Sequence, residues 1–201
     1  VYNTSSQETT LTISGNAKIY TDVTNVGILN ADGGKMAGTV TNANENGTGT
    51  ITGSEGAAGS TEFHGKVTNT GTIRKGTFKN EVINESSGTI NGGTFTGAIT
   101  NNDGTVLDGD FSGATLNGML VITFDPNNGD QPSTQKVNWS KDGATLTAPD
   151  PVPTKEGHGI EGWYYDKALD QSSGVAVFGI RDGKLVINIF VPMIAKAQYF
   201  L

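Results

Sequence analysis

Residues Phe63–Asn117 read FHGKVTNTGTIRKGTFKNEVINESSGTINGGTFTGAITNNDGTVLDGDFSGATLN, in which one short phrase recurs four times. A copy opens with Phe, places an apolar residue and then Asn a few positions later, and continues into a Gly-Thr-apolar triplet. The Phe residues are spaced by 15, 17 and 16 positions, at Phe63, Phe78, Phe95 and Phe111. A short fixed period is typical of a solenoid, whose units become stable only by stacking on their neighbours.

A unit of about 16 residues is too short for a pair of helices, but it holds two or three short strands separated by Gly or Asn turns. The sequence therefore predicts a mainly all-β chain that begins with a short parallel β-solenoid, each unit forming one coil. Stacked coils would place like side chains in columns at a spacing of about 4.8 Å. We expect the four Phe residues to form one of these columns.

Asn69, Asn84 and Asn101 recur two positions after the apolar residue that follows each Phe. Two interpretations fit them. Stacked Asn side chains can form an internal amide ladder, in which each amide donates to one neighbour and accepts from the other. Alternatively, Asn is a turn former that tolerates a left-handed backbone, which requires no ladder.

The first 62 residues carry the same pattern in a less regular form. The predicted coil positions are filled by Ile19, Val23 and Asn25 in one coil and by Met36, Val40 and Asn42 in the next. The interval from Met36 to Phe63 is 27 residues, so about ten residues must leave the stack, and the polar segments 43–47 and 53–60 are the predicted loops. Residues 1–14 are interpreted as a first strand or as a cap over the open end.

The composition of the 201-residue chain limits its possible partners and binding sites. A net charge of −7 disfavours nucleic acid and anionic membrane as partners. The absence of Cys excludes disulfides and thiolate metal sites. No apolar run is long enough for a membrane-spanning helix, and no signal stretch or starting Met is present. We therefore expect a mature or trimmed fragment of a larger protein, without membrane insertion.

Composition also changes near residue 118. The first 118 residues hold 21 of the 29 Gly, whereas all six Pro and both Trp lie after them. This change predicts two domains with different building rules, a β-solenoid at residues 1–118 and a second module at residues 119–201.

Motifs of the second module resemble a known family. They are Val121–Asp125 (VITFD), Asn127–Gly129 (NNG), Pro149–Gly157 (PDPVPTKEG) and Gly162–Asp166 (GWYYD). Their order and spacing are similar to those of the Listeria-Bacteroides repeat, also called the internalin B-repeat, over most of residues 120–201. The resemblance implies a small β-grasp-like, mostly-β module found in tandem on bacterial surface proteins, generally regarded as a spacer or adhesion module and not as a catalyst.

The module departs from the family pattern at several places. His158 stands where the family usually has an aromatic residue, and Asn128 replaces the first Gly of a pair. The C-terminal part is longer, with Asp182-Gly183 between apolar segments predicting a hairpin. A helical turn is predicted around residues 166–171.

Three carboxylates, Asp103, Asp108 and Asp110, fall within one predicted coil. Parallel solenoids that bind or cleave acidic polysaccharides place carboxylates on one face, so these residues are candidate binding groups. A lyase would also need a basic residue on that face, and Arg74 and Lys75 lie two coils earlier. The alternative interpretation is solvated carboxylates in turns, and we expect no catalytic residues.

Metal binding finds little support in the sequence. Asp125-x-Asn127-x-Gly129 superficially resembles a calcium loop, but Lys136 occupies the place of the bidentate Glu. His64 and His158 are the two histidines, lie in different domains and lack the spacing of a zinc site. We expect no metal and no cofactor.

Aromatic and hydroxyl side chains supply the remaining candidates. Trp163 and Tyr165 share one strand face, predicted to be core, which leaves Tyr164 and Trp139 as candidate exposed binding residues. Alternating threonines could form a flat hydroxyl array for a glycan or ordered water, or simply suit exposed strand faces. These are Thr72, Thr77, Thr89, Thr94 and Thr96.

The sequence as a whole predicts a non-enzymatic, extracellular fragment of a bacterial cell-surface protein that acts as a rigid spacer or adhesion module. Its expected partners are a host or matrix protein, a glycan, or neighbouring repeats of the same chain. The alternative is a carbohydrate-binding or polysaccharide-lyase-like β-helix protein.

Overall fold

The computed structural model describes residues 2–3, 9–43, 49–139, 144–146, 149–166, 178–181, 184–187 and 194–200. They form strands and no helix. The chain divides into two compact units, Val1–Gly118 and Met119–Leu201. The boundary falls at the position in the sequence where the composition changes. The prediction of a mainly all-β chain with a parallel solenoid is confirmed, and the solenoid has about six turns.

Short strands separated by turns make up the first unit. They are β1 (Tyr2–Asn3), β2 (Thr10–Ile19), β3 (Val23–Asn25), β4 (Ile28–Met36), β5 (Val40–Asn42), β6 (Thr50–Thr52), β7 (Glu62–Phe63), β8 (Val67–Asn69), β9 (Thr72–Ile73), β10 (Thr77–Phe78), β11 (Val82–Asn84), β12 (Thr89–Phe95), β13 (Ala98–Asn101), β14 (Thr105–Asp110) and the start of β15 (Thr115–Asp125).

Two parallel sheets form the walls of the solenoid. The first sheet runs β1-β3-β5-β8-β11-β13 and ends with the Thr115–Gly118 part of β15. The second runs β2-β4-β6-β9-β12-β14. Two middle coils divide the second wall into separate strands, so β7 and β10 lie in register between the ends of β4 and β12. Successive coils therefore repeat the same path.

Residues 2–3 and 10–14 take part in the stack. β1 pairs with β3, and β2 pairs with β4 from Thr10↔Ile28 onward. They add a strand to each wall. Residues 4–8 and 44–48, including most of the predicted 43–47 loop, lie outside the described part. Residues 53–60 are described, and they leave the strands between β6 and β7 as predicted.

Like residues occupy three inner columns. The Val column pairs Val23, Val40, Val67, Val82, Ile99 and Leu116. A second column pairs Leu11, Leu29, Ile51, Ile73, Ile90 and Val106. In the third, Ile19 and Met36 precede Phe63, Phe78 and Phe95. Nearly all of these side chains are buried, and together they form the core of the solenoid.

Glycines make room for the Phe column. Gly76 and Gly93 have positive φ, at 137° and 101°. A Cβ on Gly76 would lie 2.7 Å from Phe63 Cε2, and a Cβ on Gly93 would lie 3.1 Å from Phe78 Cε2. The Gly two residues before Phe78 and before Phe95 is therefore required both by the backbone and by the rings.

The second unit contains a mixed sheet and a smaller antiparallel one. Its strands are the Met119–Asp125 part of β15, β16 (Ser133–Asn138), β17 (Ala144–Leu146), β18 (Gly159–Asp166), β19 (Phe178–Arg181), β20 (Lys184–Ile187) and β21 (Ile194–Phe200). The mixed sheet runs β16-β15-β21-β18, with β15 and β21 parallel at its centre. This order fits the predicted β-grasp-like module.

Two predicted features near the C-terminal end, a hairpin and a helical turn, fall partly outside the described residues. β19 and β20 are antiparallel and pair Arg181 with Lys184, as a two-residue hairpin requires. Asp182 and Gly183 themselves lie outside the described part. So do residues 167–171, where most of the predicted helical turn falls.

Candidate functional site

The Phe column is a continuous stack of aromatic rings. Ring centroids are 4.7 Å apart for Phe63 and Phe78, 4.7 Å for Phe78 and Phe95, and 5.0 Å for Phe95 and Phe111. The interplanar angles are between 10° and 18°. One strand spacing separates successive rings, so the backbone register sets the ring stacking.

Buried asparagines form a hydrogen-bonded ladder beside the Val column. Each Nδ2 donates to the Oδ1 of the next Asn at 2.6 to 2.7 Å, along Asn3, Asn25, Asn42, Asn69, Asn84 and Asn101. The same amides donate to nearby carbonyls, as Asn69 does to Gly71 O at 3.1 Å. Among the described residues, positive φ outside Gly occurs at Asp103 and Asn127 and at none of these asparagines. The left-handed turn interpretation is therefore wrong for them.

Threonines form columns on the outer faces of the solenoid. Thr72 and Thr89 lie in register with Thr50 and Thr105 on one column. Thr77 and Thr94 are paired on another column. The Thr96 hydroxyl donates to Phe78 O at 3.3 Å. The predicted array is thus divided between separate columns and a turn.

Two ion pairs join neighbouring coils at residues close in sequence to the Phe column. Glu62 accepts from Lys35 Nζ at 2.9 Å and lies 3.0 Å from His64 Nε2. Hydrogen bonds from Lys35 and His64 lower the pKa of Glu62 to about 2. Lys66 pairs with Glu81 on the next coil at 2.9 Å. All these side chains are partly exposed, so the pairs add little stability individually.

A less exposed ion pair holds the 53–60 loop. Asp32, whose side chain is 6% exposed, accepts from Ser54 N at 2.9 Å and from Lys75 Nζ at 3.3 Å. Lys75 also donates to Ala57 O at 3.1 Å. Burial alone would raise the pKa of Asp32, but the bonds from Ser54 and Lys75 outweigh it and hold the pKa below its ordinary value. We call Asp32, Ser54, Ala57 and Lys75 the loop latch.

The three aspartates predicted as candidate binding residues lie at different places along their coil. Asp103 lies in the turn after β13 with a φ of 62°. Asp108 and Asp110 lie two residues apart on β14, and both are exposed. Asp108 accepts from Gly109 N at 2.9 Å. Asp110 accepts from the Ser112 hydroxyl at 2.7 Å, which lowers the pKa of Asp110.

The two basic residues considered for a lyase have different surroundings. Lys75 belongs to the loop latch. Arg74 is exposed after β9, on the same wall as Asp108 and Asp110 and two coils before β14. Within the described ranges, no group of three His, Asp or Glu side chains is arranged to hold a metal ion.

The expectation that Trp139 is exposed is wrong. Trp139 follows β16 and is 2% exposed. A small unit with few large apolar groups buries those it has, and the argument applied to Trp163 holds for Trp139 as well. Tyr164 lies on β18 opposite Lys196, and its side chain falls outside what the structure describes.

The segment from Asp125 to Asp130 is a turn held by side chains. Asp125 accepts from Asn127 N at 2.8 Å, and Asn128 accepts from Asp130 N at 2.9 Å. Asn127 has a φ of 51°. These side-chain oxygens bond to the local backbone, as Asx turns do. His158 lies in another turn, with Nδ1 2.7 Å from Glu156 O.

Sequence reasoning missed both ion-paired groups. The Lys35–Glu62 pair could have been found, because it precedes Met36 and Phe63 in the predicted Phe column and must share their register. The loop latch carries no comparable signal. It joins residues 43 positions apart across an insertion of irregular length.

Comparison with known protein families gives one match, in the second unit. Residues 121–175 match the family model of the Listeria-Bacteroides repeat domain. The predicted resemblance is therefore confirmed over that range, with a β-solenoid preceding it. No curated protein and no solved structure gives a significant match to the chain.

The two units together fit a bacterial surface repeat protein. Listeria-Bacteroides repeats occur in bacterial surface proteins. No helix in the described ranges is both long and apolar enough to cross a bilayer.

Proposed function

We propose that this chain is a non-enzymatic, extracellular part of a bacterial surface protein, in which the solenoid is a rigid spacer that also carries adhesive contacts. The observation that supports this proposal most directly is that like residues pair from coil to coil in the inner columns. Every coil adds the same rise, about 4.8 Å, and repeats the same internal bonds. Length can therefore change by whole coils without a new core.

The amide ladder and the Phe stack favour stiffness. Bending the stack would lengthen the Asn–Asn bonds of 2.6 to 2.7 Å on one side of the core. Leaving a buried amide unpaired costs about 1 to 3 kcal/mol, so the free energy of each coil opposes bending. A rigid spacer needs this property.

The carboxylates support a non-catalytic role. Asp108 and Asp110 accept hydrogen bonds from residues one or two positions away. A polysaccharide lyase would instead hold a carboxylate and a basic side chain around one sugar. Lys75 is committed to Asp32 and Ala57. The expected partners are accordingly a host or matrix protein, a glycan, or neighbouring repeats of the chain.

Adhesion and catalysis can be separated with the whole chain. Saturable binding to immobilised mucin or a matrix protein, together with no release of reducing ends from polyuronides, is the expected result. Turnover of a polyuronide that Asp108→Ala abolishes would overturn the proposal. Absence of both binding and turnover would leave the spacer role and remove the adhesive one.

A further inference from the structure

A bulge in the first two coils places two lysines side by side. β2 and β4 pair from Gly15↔Gly33, and after a register shift they resume at Lys18↔Lys35. Gly34 has a φ of 71°, and a Cβ there would lie 2.4 Å from Ala17 O. Bulges commonly re-aim the side chains that follow them. Here a Gly-dependent backbone sets the positions of Lys18 and Lys35.

The paired lysines leave a local excess of positive charge. Like charges directly opposite on neighbouring strands are destabilising. Lys35 pairs with Glu62 at 2.9 Å, but its side chain is 54% exposed and an ammonium has three donors, so it can also bond to a second anion. None of the ion pairs between described residues includes Lys18, and its side chain is exposed. Lys18 therefore offers a cation that the described part of the fold does not use.

Tyr20 completes the group. It lies two residues after Lys18 and is 73% exposed. Ile19, between them, pairs with Met36 at the start of the Phe column. An exposed phenol ring presents a flat apolar face with a polar edge, which suits the C–H face of a sugar. We call Lys18, Tyr20 and Lys35 the cationic corner.

Charges around the corner limit what can bind there. Asp22 accepts from Thr39 N at 2.8 Å, and this bond lowers the pKa of Asp22, so its carboxylate stays charged. His64 and Lys66 are occupied by Glu62 and Glu81. Among Lys18, Lys35 and Lys66, Lys18 is thus the one outside the ion pairs between described residues, on a chain whose net charge is −7. A long polyanion would be repelled elsewhere, whereas a single acidic group at the corner would not.

We propose that the cationic corner binds an acidic sugar residue, with the sugar ring stacked on Tyr20 and its anionic group on the Lys18 and Lys35 ammonium groups. This inference rests on the proposed adhesive function and specifies its ligand class. Charge-assisted hydrogen bonds supply affinity, and the aromatic face selects a sugar over other anions. Binding weakens as salt is added, because the lysines are exposed.

The test is calorimetric titration of the whole chain with four probes. They are an oligogalacturonate, dextran sulfate, neutral dextran and poly-L-glutamate. Oligogalacturonate is expected to bind saturably, neutral dextran not at all, and poly-L-glutamate at least about tenfold more weakly. Binding of dextran sulfate would extend the site to sulfated sugars and support it. Lys18→Ala and Tyr20→Ala should each weaken oligogalacturonate binding at least about tenfold.

Arg74→Ala removes an exposed cation from the same unit and should bind as the wild type does. All three substitutions are at exposed positions, and unchanged thermal melting would verify that each variant is folded. Absence of oligogalacturonate binding would overturn the inference. Wild-type affinity in both corner variants, or equal binding of poly-L-glutamate, would also overturn it. If the variants retain binding to mucin or matrix protein, adhesion stands and the cationic corner is not its site.

Discussion

Asn69 Nδ2 donates to Asn84 Oδ1 at 2.7 Å inside the solenoid, where both residues have no exposed surface. Asn84 in turn donates to Asn101 Oδ1 at 2.7 Å. Each amide therefore depends on the coil before it and the coil after it. A buried amide with partners on both sides fixes the register, because a slip would leave polar atoms unpaired in an apolar core.

Asn84→Ala removes both links at once. We expect the free energy of unfolding to fall by about 2 to 4 kcal/mol, from lost hydrogen bonds and a new cavity. Urea denaturation measures the change. Asn102→Ala is the matched control, because Asn102 is exposed and bonds to Glu85 at 3.2 Å on the surface. A similar loss in both variants would contradict a stabilising role for the buried ladder.

Phe95 has a ring neighbour on each side, at 4.7 Å and 5.0 Å. Phe95→Ala should lower the free energy of unfolding by about 3 to 5 kcal/mol, since the cavity lies in the middle of the stack. The adjacent Thr96 is exposed, and Thr96→Ala should cost about 0.5 kcal/mol or less. Equal costs in denaturation experiments would show that the inner and outer faces have been assigned incorrectly.

The sequence could predict the solenoid because its signal is periodic. Once Phe63 and Phe78 are assigned to one column, the positions of Val67 and Val82 follow from the same register. The inner and outer faces of a single short strand cannot be assigned from its sequence alone. When the strand is repeated, an incorrect assignment in one copy conflicts with the residues at the same positions in the next copy. The less regular coils of the first 62 residues follow the same register, because Ile19 and Met36 are apolar and occupy the Phe column.

Features set by long-range packing could not be predicted. The loop latch joins Asp32 to Lys75 across an insertion, and no period places these residues together. From the sequence, Trp139 is a candidate surface residue because Trp163 is assigned to the core of the second unit. Its burial depends on how the second unit packs around it. Two interpretations of the ladder residues were equally compatible with the sequence, and the hydrogen-bond geometry decides between them.

The loop latch predicts local protection of residues 53–60. Lys75→Met removes the ammonium that contacts both Asp32 and Ala57. We expect faster hydrogen exchange at the Ser54 and Ala57 amides, which bond to Asp32 and to Ser54 O. Lys79→Met, at an exposed lysine of the next coil, should leave this exchange unchanged. Unaltered protection in Lys75→Met would mean that the loop is held by its backbone alone.

The lowered pKa of Asp32 predicts an acid-sensitive contribution to stability. Its folded pKa lies below the ordinary value of about 3.9. The contribution is therefore complete above about pH 4 and is lost as the pH falls through the folded pKa. Denaturation of the wild type and Asp32→Asn should differ most near neutral pH and converge as the pH falls through the folded pKa of Asp32. A difference that grows on acidification would have the wrong sign for this assignment.

Deletion of residues 79–95 tests whether the coils are interchangeable. Phe78 and Phe95 are paired in register, so the deletion joins Phe78 to Thr96 at equivalent positions. The Asn ladder then passes from Asn69 directly to Asn101, and the Val column from Val67 to Ile99. We expect a folded protein with a solenoid shorter by about 4.8 Å. Its free energy of unfolding should be lower, because one coil and, on balance, one interface between coils are lost.

Deletion of residues 79–87 is the matched control, because it removes β11 but keeps β12. Phe78 would then be followed by Gly88, and the next coil would present its second wall where the first wall should begin. Circular dichroism and cooperative unfolding should persist in the whole-coil deletion and be lost from the solenoid in the half-coil deletion. Similar behaviour of the two proteins would mean that stability does not depend on coil register. The proposal that the spacer can change length by whole coils would then lose its support.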